Sequence, residues 1–395
     1  MGRTRVRELE PVITGMGIVT PIGVGVEAFW RAAMAGTQGA RPVQLQRPTQ
    51  LRYTTGCQLD DALLPPGAHP DGTTRASALG SYAAAEALRH ARREPGHVDV
   101  VFVGTTMGDL PAIEDQLLDD DASRVTGLSS RSFGERIAAA VGVTAPAFTL
   151  GTSCSAGNHA IFRAAELVRA GRARCVLAGG ADAFSTLAFI GFARMRAMAP
   201  LLCTPFARDR KGILLGEGAA FLVIEPRAAA AERDTPIHAA IAGVGLSCDA
   251  HHISTPAPNG RGAIAAMTAA LDDAAIEPGE VDFVAAHGTG TPHNDLAESR
   301  ACATVFGRHR PYVSSVKALI GHTLGAGSAV QAVACALSFR DQRVVPAWNV
   351  EEQDPDCDVS LPLPGRAVDR SLRVAISNGF AFGGNNSCLV LRSLT

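Results

Sequence analysis

One pattern occurs twice in the sequence and restricts the fold more than any other feature. Residues 147–150 form a short apolar stretch that ends in the small residues 151–155, and an Ala-rich helical stretch follows over residues 156–170. Residues 312–315 lead in the same way, through a Gly-rich turn, into a helical stretch over residues 323–339. Strands that alternate with helices predict α/β layers with buried, mixed sheets. The repeated pattern, which carries negligible sequence identity, predicts two pseudo-repeated halves in an α-β-α-β-α arrangement.

The chain of 395 residues is long enough for two halves of ordinary domain size. A charged, Ala-rich stretch over residues 227–236 marks the boundary, so we expect halves at residues 1–234 and 235–395. Hydrophobic residues make up 47% of the chain, which is enough to build a large core. The polar, acidic residues 119–131 predict a surface loop or cap.

Charge and cysteine usage exclude several classes of protein. The formal net charge of −2 argues against a nucleic-acid-binding surface. No apolar run approaches the roughly 18 residues needed to span a membrane, and the charged N-terminus lacks a signal region. The nine cysteines are dispersed without CxxC pairs. We therefore expect reduced thiols in a cytoplasmic protein, with no disulfide framework and no metal site.

Cys154 is the strongest candidate for a reactive group because it lies where a predicted strand turns into a helix. The helix dipole and the free backbone N–H groups at such a position stabilise negative charge on the sulfur and on a nearby oxyanion. Both effects are expected to lower the thiol pKa and to favour nucleophilic attack. A buried structural cysteine is the common alternative, but the small, polar residues 151–157 leave space for an acyl group. This turn alone leaves hydrolase and transferase chemistry equally open.

Two histidines and a lysine in the second half are candidates for acid–base and electrostatic roles. His287 follows a predicted strand in the run His-Gly-Thr-Gly-Thr-Pro, and His322 precedes the second Ala-rich helix. Isolated histidines are more often structural, but two neutral imidazoles in such loops are suited to hold an enolate. No third ligand has the spacing of a metal site. Lys317 is one of only two lysines, and in an apolar stretch it needs a partner, for which Asp295 and Glu298 are candidates.

The last loop of the chain joins aromatic residues to two glycines. Residues 379–386 read Gly-Phe-Ala-Phe-Gly-Gly-Asn-Asn and precede a predicted strand over residues 387–391. Such a run is usually a turn. The alternative is a backbone loop that approaches a ligand and carries an aromatic gate.

Taken in order, these segments resemble the elongating β-ketoacyl-acyl-carrier-protein synthases, condensing enzymes of the thiolase fold. The resemblance covers nearly the whole chain and rests on four motifs: the turn at Cys154, the run that begins at His287, Lys317 with His322, and the run that begins at Phe382. Each motif alone is weak, but the ordered set is specific. It implies a thiolase-like α/β fold. It also implies a decarboxylative Claisen condensation of a Cys-bound acyl group with malonyl-carrier protein, in fatty-acid or type II polyketide or polyene biosynthesis.

The resemblance also implies a role for each residue. Cys154 would carry the acyl group, and its N–H group and that of Phe382 would form the oxyanion hole. His287 and His322 would assist decarboxylation and stabilise the enolate. The remaining implied roles are pairing of Lys317 with Glu298, contacts to substrate or pantetheine at Thr289, Thr291, Phe382, Asp249 and His252, and acyl-pocket contacts at Met107 and Phe162.

The resemblance implies that no metal or nucleotide cofactor is needed, since the substrates travel on the phosphopantetheine of an acyl-carrier protein. That carrier protein is then an expected partner, together with a second subunit in a homodimer or in a heterodimer with a related ketosynthase-like chain. Ala381 and Asn385 replace a Gly and a Thr that are usual in the family's last loop. These departures affect the acyl pocket, and they favour a specialised polyketide or polyene enzyme over a housekeeping fatty-acid enzyme.

Two other functions remain open from the sequence. A chain-length factor, the inactive partner of a ketosynthase, has the same fold but lacks the nucleophilic cysteine, so Cys154 argues against it. A thiolase acts on coenzyme A esters and usually has a second catalytic cysteine in the C-terminal loop. Cys388 is near that loop but lies on its strand side.

Overall fold

The computed structural model describes residues 8–45, 51–64, 73–118, 129–366, 369 and 371–394. Most of the predicted loop at 119–131 lies outside these residues. The strands are β1 (Pro11–Thr20), β2 (Gly23–Val24), β3 (Arg41–Pro42), β4 (Thr55–Gly56), β5 (Val100–Gly104), β6 (Ala147–Leu150), β7 (Val176–Asp182), β8 (Gly218–Pro226), β9 (Ala239–Cys248), β10 (Phe283–Ala285), β11 (Tyr312–Ser314), β12 (Val374–Phe380) and β13 (Asn385–Arg392). The α-helices are α1 (Val26–Ala35), α2 (Arg75–His90), α3 (Leu110–Leu118), α4 (Ser130–Ala140), α5 (Ala156–Arg169), α6 (Thr186–Arg194), α7 (Arg227–Glu232), α8 (Arg261–Ala274), α9 (Pro292–Phe306), α10 (Lys317–Ile320) and α11 (Gly327–Asp341).

The main sheet consists of two five-stranded halves with the same topology. Its order is β6-β5-β7-β8-β1-β9-β13-β12-β10-β11, and β2 pairs with β1. In the first half, β5 runs parallel to β6 and β7, and β8 runs antiparallel to β7 and β1. In the second half, β10 runs parallel to β11 and β12, and β13 runs antiparallel to β12 and β9. The predicted pseudo-repeat is thus confirmed at the level of topology.

The two halves of the sheet join along a short ladder, in which Val12 and Ile13 of β1 pair with Ala240 and Ala239 of β9. Because side chains alternate along a strand, each half presents one face to the centre and one face outward. In the first half, Leu222 contacts the central core, whereas its neighbour Phe221 packs with the outer helices α2 and α4. In the second half, alternate side chains of each strand likewise pack against the central core or against the outer helices α8 and α9. The result is the predicted α-β-α-β-α layering.

The central layer contains α5 and α11, which approach each other closely. A methyl group added to Gly157 would lie 2.8 Å from the backbone nitrogen of Ala329, so only glycine fits there. Beside this contact, the backbone N–H of Asn158 donates to Ser328 Oγ at 2.9 Å. Every residue of α11 from Gly327 to Phe339 is buried, which is why this helix reads as Gly/Ala-rich and not as amphipathic.

The same backbone turn precedes both central helices. A 3₁₀ turn at Ser153–Ser155 leads into α5, and one at Leu324–Ala326 leads into α11. Ser153 and Leu324, the first residues of these turns, have positive φ angles of 52° and 50°, a conformation that is strained for non-glycine residues. By this correspondence, Gly325 occupies the position in the second half that Cys154 occupies in the first. The repeat therefore supplies one thiol and one glycine at its centre.

Two general features of the chain follow from the structure. All nine cysteines are free thiols, and eight of them are buried. Within the described residues, no helix has both the length and the apolar composition that a membrane crossing requires.

The turn that carries Cys154 depends on a glycine at the end of β5. A methyl group on Gly104 would lie 2.3 Å from the backbone carbon and oxygen of Ala156, the first residue of α5. Because backbone atoms cannot yield as a side chain can, we expect Gly104→Ala to lower the free energy of unfolding by about 1–3 kcal/mol. Urea denaturation measures this change. Gly96→Ala is the matched control, since a methyl group there meets no atom within 4 Å; equal stability of the two variants would contradict the packing argument.

Candidate active site

A cavity of about 390 Å³ lies between the two halves and reaches Cys154. The segments that line it come from loops at the ends of strands and from the turns before the central helices. Of the residues singled out from the sequence, those lining it are Cys154, Asp249, His252, His287, Thr289, Thr291, His322, Ala381 and Phe382. Met107, Phe162, Glu298 and Lys317 do not line it.

Cys154 and His322 meet at the inner end of the cavity. Cys154 Sγ lies 3.1 Å from His322 Nε2, which is hydrogen-bonding distance for a thiol and an imidazole. The backbone N–H groups of Phe382 and of Cys154 itself also point to the sulfur. Both side chains are buried, at 7% and 4% exposure. The thiol therefore has a proton acceptor within reach and two backbone donors beside it.

The predicted lowering of the thiol pKa is wrong for this structure. Burial raises the pKa of Cys154 to about 11, because loss of hydration disfavours the thiolate. The charge of Lys317 and the N–H groups of Phe382 and Cys154 act in the opposite direction but do not outweigh burial, and Asp182 adds to the rise. At neutral pH the thiol is protonated, and an attack on an acyl group requires that the proton leave during the reaction.

His287 and His322 lie edge to face, with ring centroids 5.4 Å apart and an interplanar angle of 83°. Burial holds the pKa of each imidazole well below its ordinary value, and the charge of Lys317 lowers both further. Both rings are therefore neutral at physiological pH. A neutral imidazole has one donor and one acceptor nitrogen, so the pair can supply N–H groups to a developing oxyanion.

Glu298 contacts the loop of His287 and not Lys317. Its carboxylate accepts hydrogen bonds from the backbone N–H groups of His287 and Gly288, both at 2.8 Å, and from Asn378 Nδ2 at 3.0 Å. These three donors occupy the carboxylate. The predicted direct pairing with Lys317 is therefore wrong within the described residues, although the Glu298 charge still acts on Lys317 at longer range.

Lys317 is 1% exposed, and its ammonium group donates to Gln331 Oε1 at 2.8 Å. Burial lowers the pKa of Lys317 to about 8, although the charges of Glu298 and of other nearby anionic groups oppose this effect. The sequence did not point to Gln331. The one available signal was a lone amide in an otherwise small and apolar helix.

Asp182 is a second residue near the site that sequence reasoning missed. Its carboxylate ends β7 and accepts hydrogen bonds from Thr105 Oγ1 at 2.7 Å and from the N–H groups of Met107 and Gly325, each at 2.7 Å. Burial raises its pKa to about 6. The Asp182 carboxylate thereby ties the turn after β5 to the turn that follows His322, across the interface of the two halves.

The loops that carry Asp249 and Phe382 are joined to each other at the mouth of the cavity. Asp249 N–H donates to Gly384 O at 3.0 Å, and Gly383 N–H donates to Ile253 O at 2.8 Å. Phe382 is 39% exposed, and the centroid of its ring lies 5.8 Å from the centroid of the Phe192 ring. The two loops therefore form one wall, and any movement of Phe382 requires the other loop to adjust.

Thr289 and Thr291 also line the cavity, and their hydroxyl oxygens are 2.9 Å apart. Thr291 also caps α9 by accepting the N–H of Asn294. Met107 packs against the apolar cluster that contains Phe192, and Phe162 is half-buried on α5. Contact of these last two residues with an acyl chain remains a prediction.

The described residues contain no group of three or more His, Cys, Asp or Glu side chains arranged to hold a metal ion. The chemistry available at the inner end of the cavity is that of a thiol, two neutral imidazoles and backbone N–H groups, and the buried ammonium of Lys317 acts on them from outside the cavity lining.

Two family models match the chain. The model for the beta-ketoacyl synthase N-terminal domain matches residues 10–230, and the model for the C-terminal domain matches residues 238–351. Together they span most of the sequence. The chain belongs to the β-ketoacyl synthase family.

Curated relatives resemble this β-ketoacyl synthase over almost their full length. It is 33% identical to the 3-oxoacyl-[acyl-carrier-protein] synthase 2 of Synechocystis sp., with 96% of this chain and 97% of that protein covered. It is 36% identical to nodulation protein E of Rhizobium meliloti, with 97% and 99% covered. The predicted class, an acyltransferase of the β-ketoacyl synthase type, is confirmed by these matches.

Solved ketosynthase structures share the fold. The ishigamide ketosynthase/chain length factor superposes with a TM-score of 0.91 at 36% identity, covering 98% of this chain and 99% of that chain. A β-ketoacyl synthase from Burkholderia phymatum gives 0.88 at 29% identity, covering 98% and 100%. A type II polyketide ketosynthase bound to a hexaketide and in complex with its acyl-carrier protein gives 0.89 at 26% identity, covering 98% and 99%. The predicted thiolase-like α/β fold is confirmed.

The charge of Lys317 stabilises the thiolate of Cys154, so removing it is expected to raise the thiol pKa. We expect Lys317→Met to slow alkylation of Cys154 by roughly threefold to tenfold at about pH 7, where Lys317 is charged, because each unit of pKa changes the thiolate fraction about tenfold. Peptide mass spectrometry after iodoacetamide treatment follows this rate, with the exposed Cys248 as an internal reference. Lys211→Met, at an exposed lysine, is the control. An unchanged rate in Lys317→Met would show that the charge does not act on the sulfur.

Proposed function

We propose that Cys154 accepts an acyl group from a carrier-protein thioester and that the cavity then condenses this group with malonyl-carrier protein. The product is a β-ketoacyl-carrier protein, and CO2 is released. The observation that carries the proposal is the contact of Cys154 Sγ with His322 Nε2, beside two backbone N–H groups and a second neutral imidazole. The family membership supports the reaction class, and the geometry supports the roles given below.

Acyl transfer begins with loss of the thiol proton. Cys154 Sγ attacks the thioester carbonyl carbon while His322 Nε2 accepts the proton. The N–H groups of Cys154 and Phe382 bind the oxyanion of the tetrahedral intermediate. When the intermediate collapses, the bond to the carrier's sulfur breaks, and the departing thiolate takes a proton from solvent at the open mouth of the cavity.

Condensation uses both histidines. Loss of CO2 from the malonyl group leaves an enolate, whose oxygen is held by N–H groups of His287 and His322. The enolate carbon attacks the acyl carbonyl on Cys154, and the carbon–sulfur bond breaks. His322 then returns the proton to the departing thiolate of Cys154. The buried charge of Lys317 offsets the negative charge of the thiolate and the enolate in both steps.

The outer part of the cavity supports binding of a phosphopantetheine arm. Thr289 and Thr291 present hydroxyl groups to the cavity, where amide groups of the arm require hydrogen-bond partners. Arg196 and Lys211 line the cavity and are exposed, so they are suited to the phosphate and to acidic groups of a carrier protein. Asp249 and His252 border the same opening. The substrates are therefore carried by the partner protein, and no further cofactor enters the proposed reaction.

An exposed sheet edge supports a second subunit. Strand β6 ends the main sheet, and no described strand pairs with its outer edge. Phe148 on this strand is 51% exposed and stacks on Phe102, with centroids 5.6 Å apart. An open edge with an exposed aromatic ring is a site for pairing with another chain. The partner would be a second copy or a related ketosynthase-like subunit, as in the relatives whose structures contain a chain length factor.

The two alternatives have less support than this proposal. A chain-length-factor function does not use the contact of Cys154 with His322. A thiolase function needs a second cysteine at the site, but Cys388 is fully buried on β13, does not line the cavity, and has its pKa raised well above the ordinary value by burial. A cytoplasmic location belongs to the proposal because nine free cysteines are typical of a reducing compartment.

The proposed function is tested by intact-mass analysis after incubation with acyl-carrier protein and then with malonyl-carrier protein. We expect one acyl group on the protein, its loss when malonyl-carrier protein is added, and a β-ketoacyl-carrier protein as product. Cys154→Ala removes the nucleophile and is expected to abolish acylation, whereas Cys248→Ala, at the exposed cysteine, leaves it unchanged. Failure to acylate, or acylation that persists in Cys154→Ala, would refute the proposal.

The two histidines are expected to differ in the steps that they affect. His287→Ala should reduce condensation by about 10²–10⁴-fold with little effect on acyl loading, because His287 is proposed to act only on the enolate. His322→Ala should slow both steps, since it also removes the acceptor of the thiol proton. Single-turnover measurements of loading and of CO2 release separate the steps. The same pattern in both variants would contradict these roles.

A further inference from the structure

Gln331 is a buried, heavily hydrogen-bonded side chain near the site, and the reaction proposed above does not use it. It lies in the buried helix α11 and is 1% exposed. Its Oε1 atom accepts the ammonium of Lys317 at 2.8 Å. Its Nε2 atom donates to the carbonyl oxygens of Ala285 at 2.9 Å, Ala286 at 3.1 Å and Asn378 at 3.0 Å. A buried amide with all these partners is held in one orientation.

The three carbonyl groups determine which end of the amide faces the lysine. If the amide were rotated by half a turn, its oxygen would face three carbonyl oxygens and its NH₂ group would face an ammonium. Both contacts would be repulsive, so the amide is oriented with its oxygen toward the ammonium of Lys317. A hydrogen bond to a charged group is among the stronger ones in a protein interior.

The same amide also connects two segments that lead to the site. Ala285 and Ala286 immediately precede His287, and Asn378 lies on β12, which leads to the loop of Phe382. We infer that Gln331 is a positioning residue that holds the Lys317 ammonium and the strand ends before His287 and Phe382 in one fixed arrangement, and that its neutral amide sets the charge balance at Lys317.

The electrostatic part of this inference depends on what else faces Lys317. The groups that act on it are the carboxyl groups of Glu298 and Asp295 on α9 and the thiols of Cys154 and Cys203, while its charge acts on the imidazoles of His287 and His322. Glu298 already binds the loop of His287, and Asp295 accepts the N–H of Phe206. The direct acceptor of the ammonium is therefore uncharged. This arrangement is consistent with a Lys317 pKa of about 8.

The chain contains only two lysines, Lys211 and Lys317, which makes a direct measurement possible. In protein labelled with ¹³C at lysine Cε, each lysine gives its own NMR signal, and Lys211→Arg assigns them. In the unmodified protein we expect the Lys317 signal to titrate near pH 8. In Gln331→Met, which removes the acceptor, the midpoint should fall by about one unit. The exposed Lys211 serves as the internal reference.

Gln331→Glu gives a shift of opposite sign. A carboxylate in place of the amide adds a negative charge beside Lys317, so the midpoint should rise by about one unit or more. In Gln331→Glu the second carboxylate oxygen would face the three carbonyl oxygens, and in Gln331→Met the hydrogen bonds to these oxygens are lost. Both variants should therefore unfold at a lower urea concentration than the unmodified protein. A residue that only maintains the fold would shift the Lys317 midpoint in the same direction in both variants, or in neither. Either of these results would overturn the inference.

The catalytic consequence rests on the proposed function and is measured separately. The alkaline decline of the condensation rate should move down in pH in Gln331→Met and up in Gln331→Glu, following the Lys317 midpoint. Gln342→Met is the control: it removes similar hydrogen bonds, from the side-chain amide to the carbonyl oxygens of Phe339 and Leu372 at the end of α11. It should leave the pH of the alkaline decline unchanged. Since the NMR titration needs no substrate, it stands whether or not the protein performs the proposed condensation.

Discussion

The close contact of α5 with α11 is the constraint on which the rest of the site depends. Gly157 and Ala329 bring the two helix backbones together, and the Asn158–Ser328 hydrogen bond fixes their register. Because each helix begins directly after a turn of the same shape, this contact also sets the distance between those turns. Cys154 precedes one helix and His322 the other. Their 3.1 Å contact is thus a consequence of packing in the central layer.

Burial in that layer decides the protonation states. Loss of hydration raises the pKa of Cys154 and lowers those of His287, His322 and Lys317. At Cys154 and Lys317 it outweighs nearby charges of opposite effect, whereas at the two histidines the charge of Lys317 acts in the same direction. The site at rest therefore holds a neutral thiol beside neutral imidazoles. Such an arrangement avoids the cost of separated charges in a dry interior. Charge develops only when an acyl group and the backbone N–H groups at Cys154 and Phe382 can stabilise it.

The pseudo-repeat accounts for both the symmetry and the asymmetry of the site. Each half supplies the same strand order and the same strained turn before its central helix. The first half places Cys154 in that turn, whereas the second places Gly325 there and hydrogen-bonds it to Asp182. A methyl group on Gly325 would lie 2.7 Å from the backbone of Thr105, so this position has no room for a side chain. Duplication of the fold therefore provides a two-sided cavity, and divergence at one position makes one side reactive.

The sequence by itself determined the fold class and the candidate groups, because both follow from local patterns. Alternating strands and Ala-rich helices required layers, and Cys154, His287 and His322 each lie at a local junction between a strand or turn and the next element. Only the tertiary structure decided the partners of these groups. Glu298 binds the His287 loop, while Gln331, which only a lone amide in an apolar helix distinguishes in the sequence, accepts the hydrogen bond of Lys317. The thiol pKa was also decided there, since helix position is a local property but desolvation depends on how chain segments distant in sequence pack around the sulfur.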